Sequence, residues 1–154
     1  MNEIEAKTYP KFTDINQQRF KELLEDAFGK KLIKDYFTYA KPNAIMVIEK
    51  ENQYVGTIVA EAVGNSVQYL DKIAIAKASQ GNGIGKKLWE EFGAQSKKLI
   101  WRAKENNSVN AFYQRNCDGF QKVGDWIMYW KGLSQEELQQ AIAYAAAKKS
   151  SFEE

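Results

Sequence analysis

The spacing of apolar residues along the chain changes from a helical period to an alternating one. Apolar residues recur three and four positions apart over residues 20–28, which predicts a first helix. Thr13 or Asp14 is a suitable N-cap for this helix, and Gly29 is a typical stop signal. A shorter helical pattern over residues 32–39 predicts a further turn or two.

Three runs rich in β-branched and aromatic residues follow, at residues 44–49, 54–62 and 67–76. Short polar connections between them predict a meander of antiparallel strands. A helix over 84–97, a strand over 98–103, a helix over 108–116 and two strands at 120–123 and 126–131 complete the pattern. The central strand–loop–helix–strand unit requires a parallel pairing with a right-handed crossover. The pattern therefore predicts an α+β fold with a mixed, mostly antiparallel central sheet flanked by helices.

The last part of the chain predicts an added helix. Ser134 and Glu137 have the spacing of a capping box, and an alanine-rich amphipathic pattern runs from there to Lys149. This helix is interpreted as a docking or dimer-contact helix, with a free surface helix as the alternative. We assign residues 1–133 to one domain and residues 134–154 to the helix and tail.

Composition narrows the protein class. The 154 residues include 44% hydrophobic and 27% charged residues, which is typical of a soluble globular domain. The net charge of +2, without a long basic run, argues against a nucleic-acid partner. The apolar runs are too short to cross a membrane and the first residues lack a signal-peptide pattern, so a cytoplasmic protein is expected. The single cysteine, Cys117, cannot form an internal disulfide.

The absence of histidine restricts the chemistry more than any other count. It excludes serine–histidine and cysteine–histidine pairs, a histidine general base and histidine-ligated zinc, and we expect no metal site. Catalysis must then use lysine, tyrosine, carboxylates, backbone groups or water. Cys117 is interpreted as a packed thiol, with a nucleophile as the alternative.

A glycine-rich loop separates the strand at 67–76 from the following helix. Its residues are Gln80, Gly81, Asn82, Gly83, Ile84 and Gly85. A dinucleotide fingerprint would need glycine where Lys86 or Leu88 stands, and a Walker A loop would need Ser or Thr at Lys87. Backbone N–H groups at a helix N-terminus still favour a phosphate here. The alternative is a plain strand-to-helix turn.

Three cations lie on or at the end of two predicted strands. Lys72 lies in the middle of a strand built for burial, and alternation places Arg102 and Lys104 on one face, opposite Trp101. If the two strands are parallel neighbours, these cations meet at one end of the sheet and would suit a substrate with two carboxylates. The alternatives are that Asp71 pairs with one cation and that Lys104 only marks the end of its strand.

The helix near residue 110 carries further candidates. Asn107 or Ser108 is either its N-cap or a binding residue, and Asn110 and Tyr113 share one helical face. Without histidine, the Tyr113 phenol is the natural acid for protonating a leaving thiolate. The alternative for Tyr113 is a core or rim aromatic.

Taken together, these motifs resemble a known family. The Gln-x-x-Gly-x-Gly loop is similar to the pyrophosphate loop of GCN5-related N-acetyltransferases (GNATs). The wider set resembles the acetyltransferase domain of N-acetylglutamate synthase, in the form of vertebrate enzymes and of bacterial enzymes fused to an acetylglutamate kinase. That set comprises Tyr69-Leu70-Asp71-Lys72, the loop with Leu88-Trp89, Trp101-Arg102-Ala103-Lys104, Asn107, Asn110, Phe112-Tyr113, Asp118-Gly119, Trp126 and Trp130-Lys131-Gly132-Leu133, with Phe28-Gly29-Lys30-Lys31-Leu32 and Asp35-Tyr36-Phe37 upstream.

The resemblance implies a GNAT fold and transfer of acetyl from acetyl-CoA to the α-amine of glutamate. It implies that the acceptor is bound by Lys72, Arg102, Lys104 and Asn107, and the acetyl carbonyl and pantetheine arm by Ile73, Ala74 and Ile75. The pyrophosphate would lie on residues 80–86, from Gln80 to Lys86, with Asn110 also on the cofactor side. Tyr113 and Lys72 are the catalytic candidates, Tyr113 as the acid and Lys72 as a base only if its pKa is lowered.

Two departures from the family leave alternatives open. Lys104 stands where the family usually has a second arginine, so another acyl donor, such as succinyl-CoA, or another amine acceptor is the nearest rival function. The 154 residues contain no kinase region, so regulation by arginine, which resides there in the fused enzymes, is expected to be absent or to arise in another way. A homo-oligomer or a separate kinase chain is the partner hypothesis, and a non-catalytic CoA-binding module is the rival from another class.

Overall fold

A computed structural model describes residues 4–152, so residues 1–3 and 153–154 of the predicted domain and tail lie outside the described part. The strands are β1 (Ala6–Tyr9), β2 (Ala44–Lys50), β3 (Gln53–Val63), β4 (Val67–Ile75), β5 (Leu99–Lys104), β6 (Gly119–Val123) and β7 (Trp126–Lys131). The helices are α1 (Gln17–Phe28), α2 (Tyr36–Tyr39), α3 (Ile84–Gln95), α4 (Asn110–Asn116) and α5 (Gln135–Ala147). No helix among the described residues has the length and apolar character needed to span a membrane.

The seven strands form one sheet in the order β1-β2-β3-β4-β5-β7-β6. The β4–β5 pair is parallel, with Tyr69 opposite Ile100, as the crossover argument requires. The β1–β2, β2–β3, β5–β7 and β6–β7 pairs are antiparallel. The predicted mixed, mostly antiparallel sheet with flanking helices is therefore confirmed.

Two compact units divide the described residues. The first comprises residues 4–61, 71–95 and 150–152, and the second comprises residues 62–70 and 96–149. β3 and β4 therefore contribute residues to both units. The division at residue 133 into domain and tail stays a prediction.

In the first unit, α1 begins later than its predicted cap. Asn16 is the N-cap, and its side chain accepts a 3.0 Å hydrogen bond from the Arg19 backbone N–H. Thr13 and Asp14 lie instead in a short 3-10 turn, because the chain bends once more before α1. Gly29 ends α1 as predicted, with a left-handed φ of 67° that glycine adopts at little cost.

The predicted helix over residues 32–39 is only partly correct, since α2 covers just its last four residues. The Ile33 backbone N–H donates to the Ser151 carbonyl at 2.9 Å, and Leu32 forms a β-bridge with Phe152. This pairing with a distant segment keeps the start of the pattern extended. The sequence pattern also missed β1, a four-residue strand whose partner, β2, supplies its hydrogen bonds.

The first unit packs α3 closely against its strands. A Cβ atom on Gly56 of β3 would come within 2.7 Å of the Ile84 side chain, and one on Gly85 within 2.6 Å of Ile75. Glycine at these positions therefore lets the start of α3 approach the strands. The buried core of this unit contains Phe12, Phe20, Leu24, Leu32, Tyr36, Ala40, Ile45, Val47, Val59 and Ala74.

In the second unit, α5 packs against β5 and β7. The predicted capping box is present, with Glu137 N–H donating to the Ser134 hydroxyl and Ser134 N–H donating to the Glu137 carboxylate. Ala141 and Ala145 are fully buried, so the inner face of α5 is used within this unit. The core of this unit contains Val63, Val67, Tyr69, Ile100, Met128, Ala141 and Ala145.

Candidate functional site

A short 3-10 turn (Lys77–Ser79) connects β4 to the glycine loop, which leads into α3. Gly81 and Gly83 have φ values of 86° and 81°, a region that other L residues rarely adopt, and a Cβ atom on either would meet nothing within 4 Å. The first helical hydrogen bond runs from Lys87 N–H to the Gly83 carbonyl at 3.0 Å. The N–H groups of residues 84–86 precede this bond and have no acceptor in the helix. The loop therefore offers an open, electropositive helix start.

The strand leading to this loop carries Lys72 and the residues of the predicted cofactor arm. Ala74 is buried, and Ile73 and Ile75 are half-buried on either side of it. Ala76 N–H donates to the Val55 carbonyl at 2.9 Å, which fixes the end of β4 against β3. Residues 71–75 of β4, the glycine loop and α3 thus follow one another within the first unit.

Lys72 is buried, with 7% of its surface exposed, and its ammonium has several partners. It donates to the Asp71 carbonyl at 3.1 Å and to the Ser151 hydroxyl at 2.8 Å, and lies 3.2 Å from the Asp71 carboxylate. Its Nζ atom also lies 5.3 Å from the centre of the Tyr36 ring and 5.5 Å from that of Phe152. The predicted alternative of a pair with Asp71 is therefore observed, because a buried cation requires such partners.

Tyr36 anchors the acidic partner of Lys72. Its hydroxyl donates to the Asp71 carboxylate at 2.8 Å. Burial raises the pKa of the Tyr36 phenol well above its ordinary value, and the charge of Asp71 raises it further. Tyr36 therefore stays a hydrogen-bond donor at neutral pH and holds Asp71 beside Lys72.

In the second unit, Arg102 and Lys104 lie on the same face of β5, as the alternation predicts. Both cations stack on Trp126 of β7, with the guanidinium carbon of Arg102 at 3.9 Å and Nζ of Lys104 at 4.1 Å from the ring centre. Lys104 is directly opposite Trp126 in the register, which explains its contact. Cation–π attraction thus keeps two like charges side by side.

Arg102 also donates hydrogen bonds to backbone carbonyls at the C-terminal end of α5. One guanidinium nitrogen donates to the Ala145 carbonyl and another to the Lys148 carbonyl, both at 2.9 Å. Ala145 lies in the last turn of α5 and Lys148 is its C-cap, so Arg102 supplies donors at the end of the helix, where backbone carbonyls need donor partners from outside it. Arg102 therefore has a structural role that the sequence did not indicate.

The aromatic candidates of α4 lie in a packed cluster. Tyr113 is 5% exposed and its ring lies 5.7 Å from Trp101 and 5.3 Å from Tyr129. Burial raises the pKa of the Tyr113 phenol, and the neighbouring Tyr129 raises it further. Tyr113 is thus a core aromatic, as its alternative reading held, and also a phenol that keeps its proton.

The asparagines of this region have defined backbone partners. The Asn110 amide donates to the Lys104 and Glu105 carbonyls and accepts a 2.8 Å hydrogen bond from the Tyr129 hydroxyl. Asn107 accepts a 2.8 Å hydrogen bond from the Val109 backbone N–H just before α4. The N-cap of α4 is Val109, which has no side-chain capping bond, so the predicted capping role of Asn107 or Ser108 is wrong. Asn110 fixes the turn between β5 and α4.

The predicted residues fall into two sets. The first unit holds Lys72, Ile73, Ala74, Ile75 and residues 80–86, and the second holds Arg102, Lys104, Asn107, Asn110 and Tyr113. The convergence of Lys72 with the other cations stays a prediction. Sequence reasoning missed Ser151 as a partner of Lys72, and its polar Lys-Lys-Ser-Ser context gives no signal. Among residues 4–152, no group of three Cys, Asp or Glu side chains is arranged to hold a metal ion.

Known proteins identify the family. The model of the N-acetyltransferase (NAT) domain of N-acetylglutamate synthase matches residues 5–148. Mitochondrial N-acetylglutamate synthase of Danio rerio is 32% identical over 148 residues, which cover 95% of this chain and 28% of that protein. A protein of Xylella fastidiosa named acetylglutamate kinase is 31% identical over 134 residues, covering 86% of this chain and 31% of that protein.

A solved structure supports the fold. The GNAT family acetyltransferase of Elizabethkingia anophelis, solved with acetyl-CoA bound, has a TM-score of 0.61 and 16% identity, over 84% of this chain and 98% of that one. The chain spans about a third of the length of the first curated relatives it matches. With its GNAT fold and a family match over nearly its whole length, the chain belongs to the family of N-acetyltransferase domains of N-acetylglutamate synthase.

Proposed function

We propose that this chain transfers the acetyl group of acetyl-CoA to the α-amine of L-glutamate. The observation that carries the proposal is the family match over residues 5–148, which includes every residue of the predicted site. Both named relatives, a synthase and a kinase of acetylglutamate, bear names that concern this one metabolite. The proposed location is the cytoplasm.

The glycine loop would bind the cofactor. The positive φ values of Gly81 and Gly83 and the empty space above them suit a pyrophosphate that accepts hydrogen bonds from residues 80–86. The related fold of Elizabethkingia anophelis binds acetyl-CoA, which supports the same ligand here. Residues 73–75 would hold the pantetheine arm, and Asn110 would contribute by fixing the chain before α4.

The cations would bind the acceptor. Glutamate presents two carboxylates, and Lys72, Arg102 and Lys104 supply three positive charges, with Asn107 beside them in sequence. In the structure Lys72 and Arg102 donate to groups of the chain itself. A carboxylate would replace some of these neutral acceptors and form stronger, charge-assisted hydrogen bonds.

The chemistry would be direct transfer in a ternary complex. The deprotonated amine attacks the thioester carbonyl, and the tetrahedral intermediate gives an N–H proton to water and loses its C–S bond. The leaving thiolate takes a proton from Tyr113, which water then reprotonates. The raised pKa of Tyr113 keeps that proton available at neutral pH. The Lys72 ammonium is already engaged by the Asp71 carboxylate at 3.2 Å and by the Ser151 hydroxyl, so water is the proposed acceptor of the amine proton.

The test is an assay of the purified chain against panels of acyl-CoA donors and amino acids. We expect the largest kcat/KM with acetyl-CoA and glutamate, with free CoA and N-acetylglutamate formed in equal amounts. Higher activity with succinyl-CoA or with another amine would replace this function with the rival acyl transfer. CoA binding without turnover of any pair would favour the non-catalytic module.

The acceptor assignment is tested with Lys72→Met. Loss of a hydrogen bond to a charged group costs about 1.5–3 kcal/mol, so kcat/KM for glutamate should fall roughly 10- to 150-fold. The affinity for acetyl-CoA, measured by calorimetry, should stay close to that of the original chain. Lys50→Ala, on the exposed end of β2, is the matched control. Equal kcat/KM in both variants would remove Lys72 from the site.

A partner is proposed from the Xylella fastidiosa relative. That protein is named a kinase and is about three times longer than the matched region. We propose that the chain associates with a separate acetylglutamate kinase. Size-exclusion chromatography of the two purified chains together should show a joint peak, and separate elution at micromolar concentrations would contradict the association.

A further inference from the structure

The segment that follows α5 covers Lys72. Ser151 is 5% exposed, and its hydroxyl lies 2.8 Å from Lys72 Nζ and 2.9 Å from the Tyr39 hydroxyl. Phe152, the next residue, places its ring 5.5 Å from the same Nζ atom. A residue outside the sheet thus accepts a 2.8 Å hydrogen bond from a cation that lies inside it.

Because lysine has a limited number of N–H donors, a bound carboxylate would compete with the Ser151 hydroxyl for Lys72. An ammonium group has three N–H donors, and the acceptors around Nζ include the Asp71 carbonyl, the Asp71 carboxylate and the Ser151 hydroxyl. An acceptor carboxylate that binds Lys72 must replace one of them. The Asp71 carbonyl is part of β4, and its carboxylate is held by Tyr36, so Ser151 is the partner that can leave.

Besides Lys72, the described contacts of this short segment come from α1, α2 and the chain between them. They include the 2.9 Å hydrogen bond from Ile33 N–H to the Ser151 carbonyl, the hydrogen bond between the Ser151 and Tyr39 hydroxyls, the bridge between Leu32 and Phe152, and the packing of Phe152 on Phe28 and the core of the first unit. A short segment can open locally at a lower free energy than the whole fold. Its opening would expose the ammonium group of Lys72.

We propose that Ser151 and Phe152 form a cover that occupies Lys72 in the absence of acceptor, and that the acceptor carboxylate displaces the Ser151 hydroxyl to bind. This inference rests on the proposed role of Lys72 in acceptor binding. The cover sets the apparent acceptor affinity, because each binding event includes the cost of opening it. A carboxylate offsets the free energy of opening, because it forms a charge-assisted hydrogen bond with Lys72 that is stronger than the one the hydroxyl formed.

The test is the variant Ser151→Ala. Removing one hydrogen bond of about 0.5–1.5 kcal/mol from the covered state should lower the KM for glutamate roughly two- to tenfold. The value of kcat and the KM for acetyl-CoA should not change. Ser96→Ala, in the turn between α3 and β5, is the control and should leave all three constants as they are. A glutamate KM that is unchanged or higher in Ser151→Ala overturns the cover.

A second measurement does not depend on turnover. Acetylation of Lys72 by an amine-reactive ester, followed by mass spectrometry of the intact chain and its peptides, should be faster in Ser151→Ala and in Phe152→Ala than in the original chain. If neither the original chain nor the variants use glutamate, the proposed function fails and this labelling rate decides the cover alone. An unchanged rate at Lys72 in both variants would then reject it.

Discussion

At the scale of single residues, Tyr113 combines deep burial with a polar group that chemistry can use. Its ring packs on Trp101, Phe112 and Tyr129, which restrains the direction of the hydroxyl. Burial disfavours the charged phenolate and raises the pKa. The same packing therefore positions the phenol and keeps it protonated, which are the two requirements of a general acid.

Tyr113→Phe keeps the ring and removes only the hydroxyl. If Tyr113 protonates the leaving thiolate, kcat should fall about 100-fold or more, as is typical when a general acid is lost. Stopped-time assays with acetyl-CoA and glutamate measure the change, while calorimetry checks that acetyl-CoA still binds. Tyr9→Phe in β1 is the control for loss of a hydroxyl. A variant with an undiminished kcat would leave Tyr113 with its packing role only.

At the scale of elements, the loop between β4 and α3 depends on backbone conformation. Gly83→Ala should destabilise the observed loop conformation by about 1–2 kcal/mol, because φ near 80° is unfavourable for alanine. The Kd for CoA should therefore rise several-fold. Gly93→Ala is a matched control inside α3, where an added Cβ meets nothing within 4 Å. It should raise the melting temperature slightly, because alanine favours a helix more than glycine does. A Kd for Gly83→Ala equal to that of Gly93→Ala would argue against the loop as the phosphate site.

The start of α5 should make stability depend on pH. The 2.7 Å hydrogen bond from Lys98, aided by Ser134 and Ser66, lowers the pKa of Glu137 to about 2. The unfolded chain binds this proton near pH 4.3, so the contribution of Glu137 is complete above that pH and is lost as pH falls toward 2.

Glu137→Gln tests this dependence. At pH 7 the variant should have a lower free energy of unfolding than the original chain, and the gap should narrow between pH 4.5 and pH 2. Urea unfolding at a series of pH values measures it, with the exposed neighbour Glu136→Gln as control. A gap of constant size down to pH 2.5 would show that the charge of Glu137 is not responsible.

At the scale of the whole molecule, the sheet was predictable because its strands carry their own signals. The parallel β4–β5 pair followed from chain connectivity alone, since a helix lies between two strands. β1 and residues 32–33 were not predictable, because their conformation depends on partners in β2 and at residues 151–152. Local periodicity contains no information about such distant pairings.

The candidate site likewise has one part that the local sequence predicts and another that depends on distant residues. The glycine loop is local, so its residue types and order predicted its place between a strand and a helix. The partners of the cations are not local: Arg102 donates to α5 carbonyls and Lys72 to Ser151, both more than 40 positions away in the chain. Sequence reasoning could identify the charges but not the groups that satisfy them in the folded chain.

The stacking of Arg102 and Lys104 on Trp126 has a consequence for substitution tolerance. At position 104 the ring face attracts any cation, so lysine and arginine are interchangeable there as far as this contact is concerned. At position 102 the guanidinium spans two carbonyls, which the single nitrogen of a lysine cannot do. By these contacts alone, exchange between lysine and arginine preserves the packing at position 104 and loses a hydrogen bond at position 102.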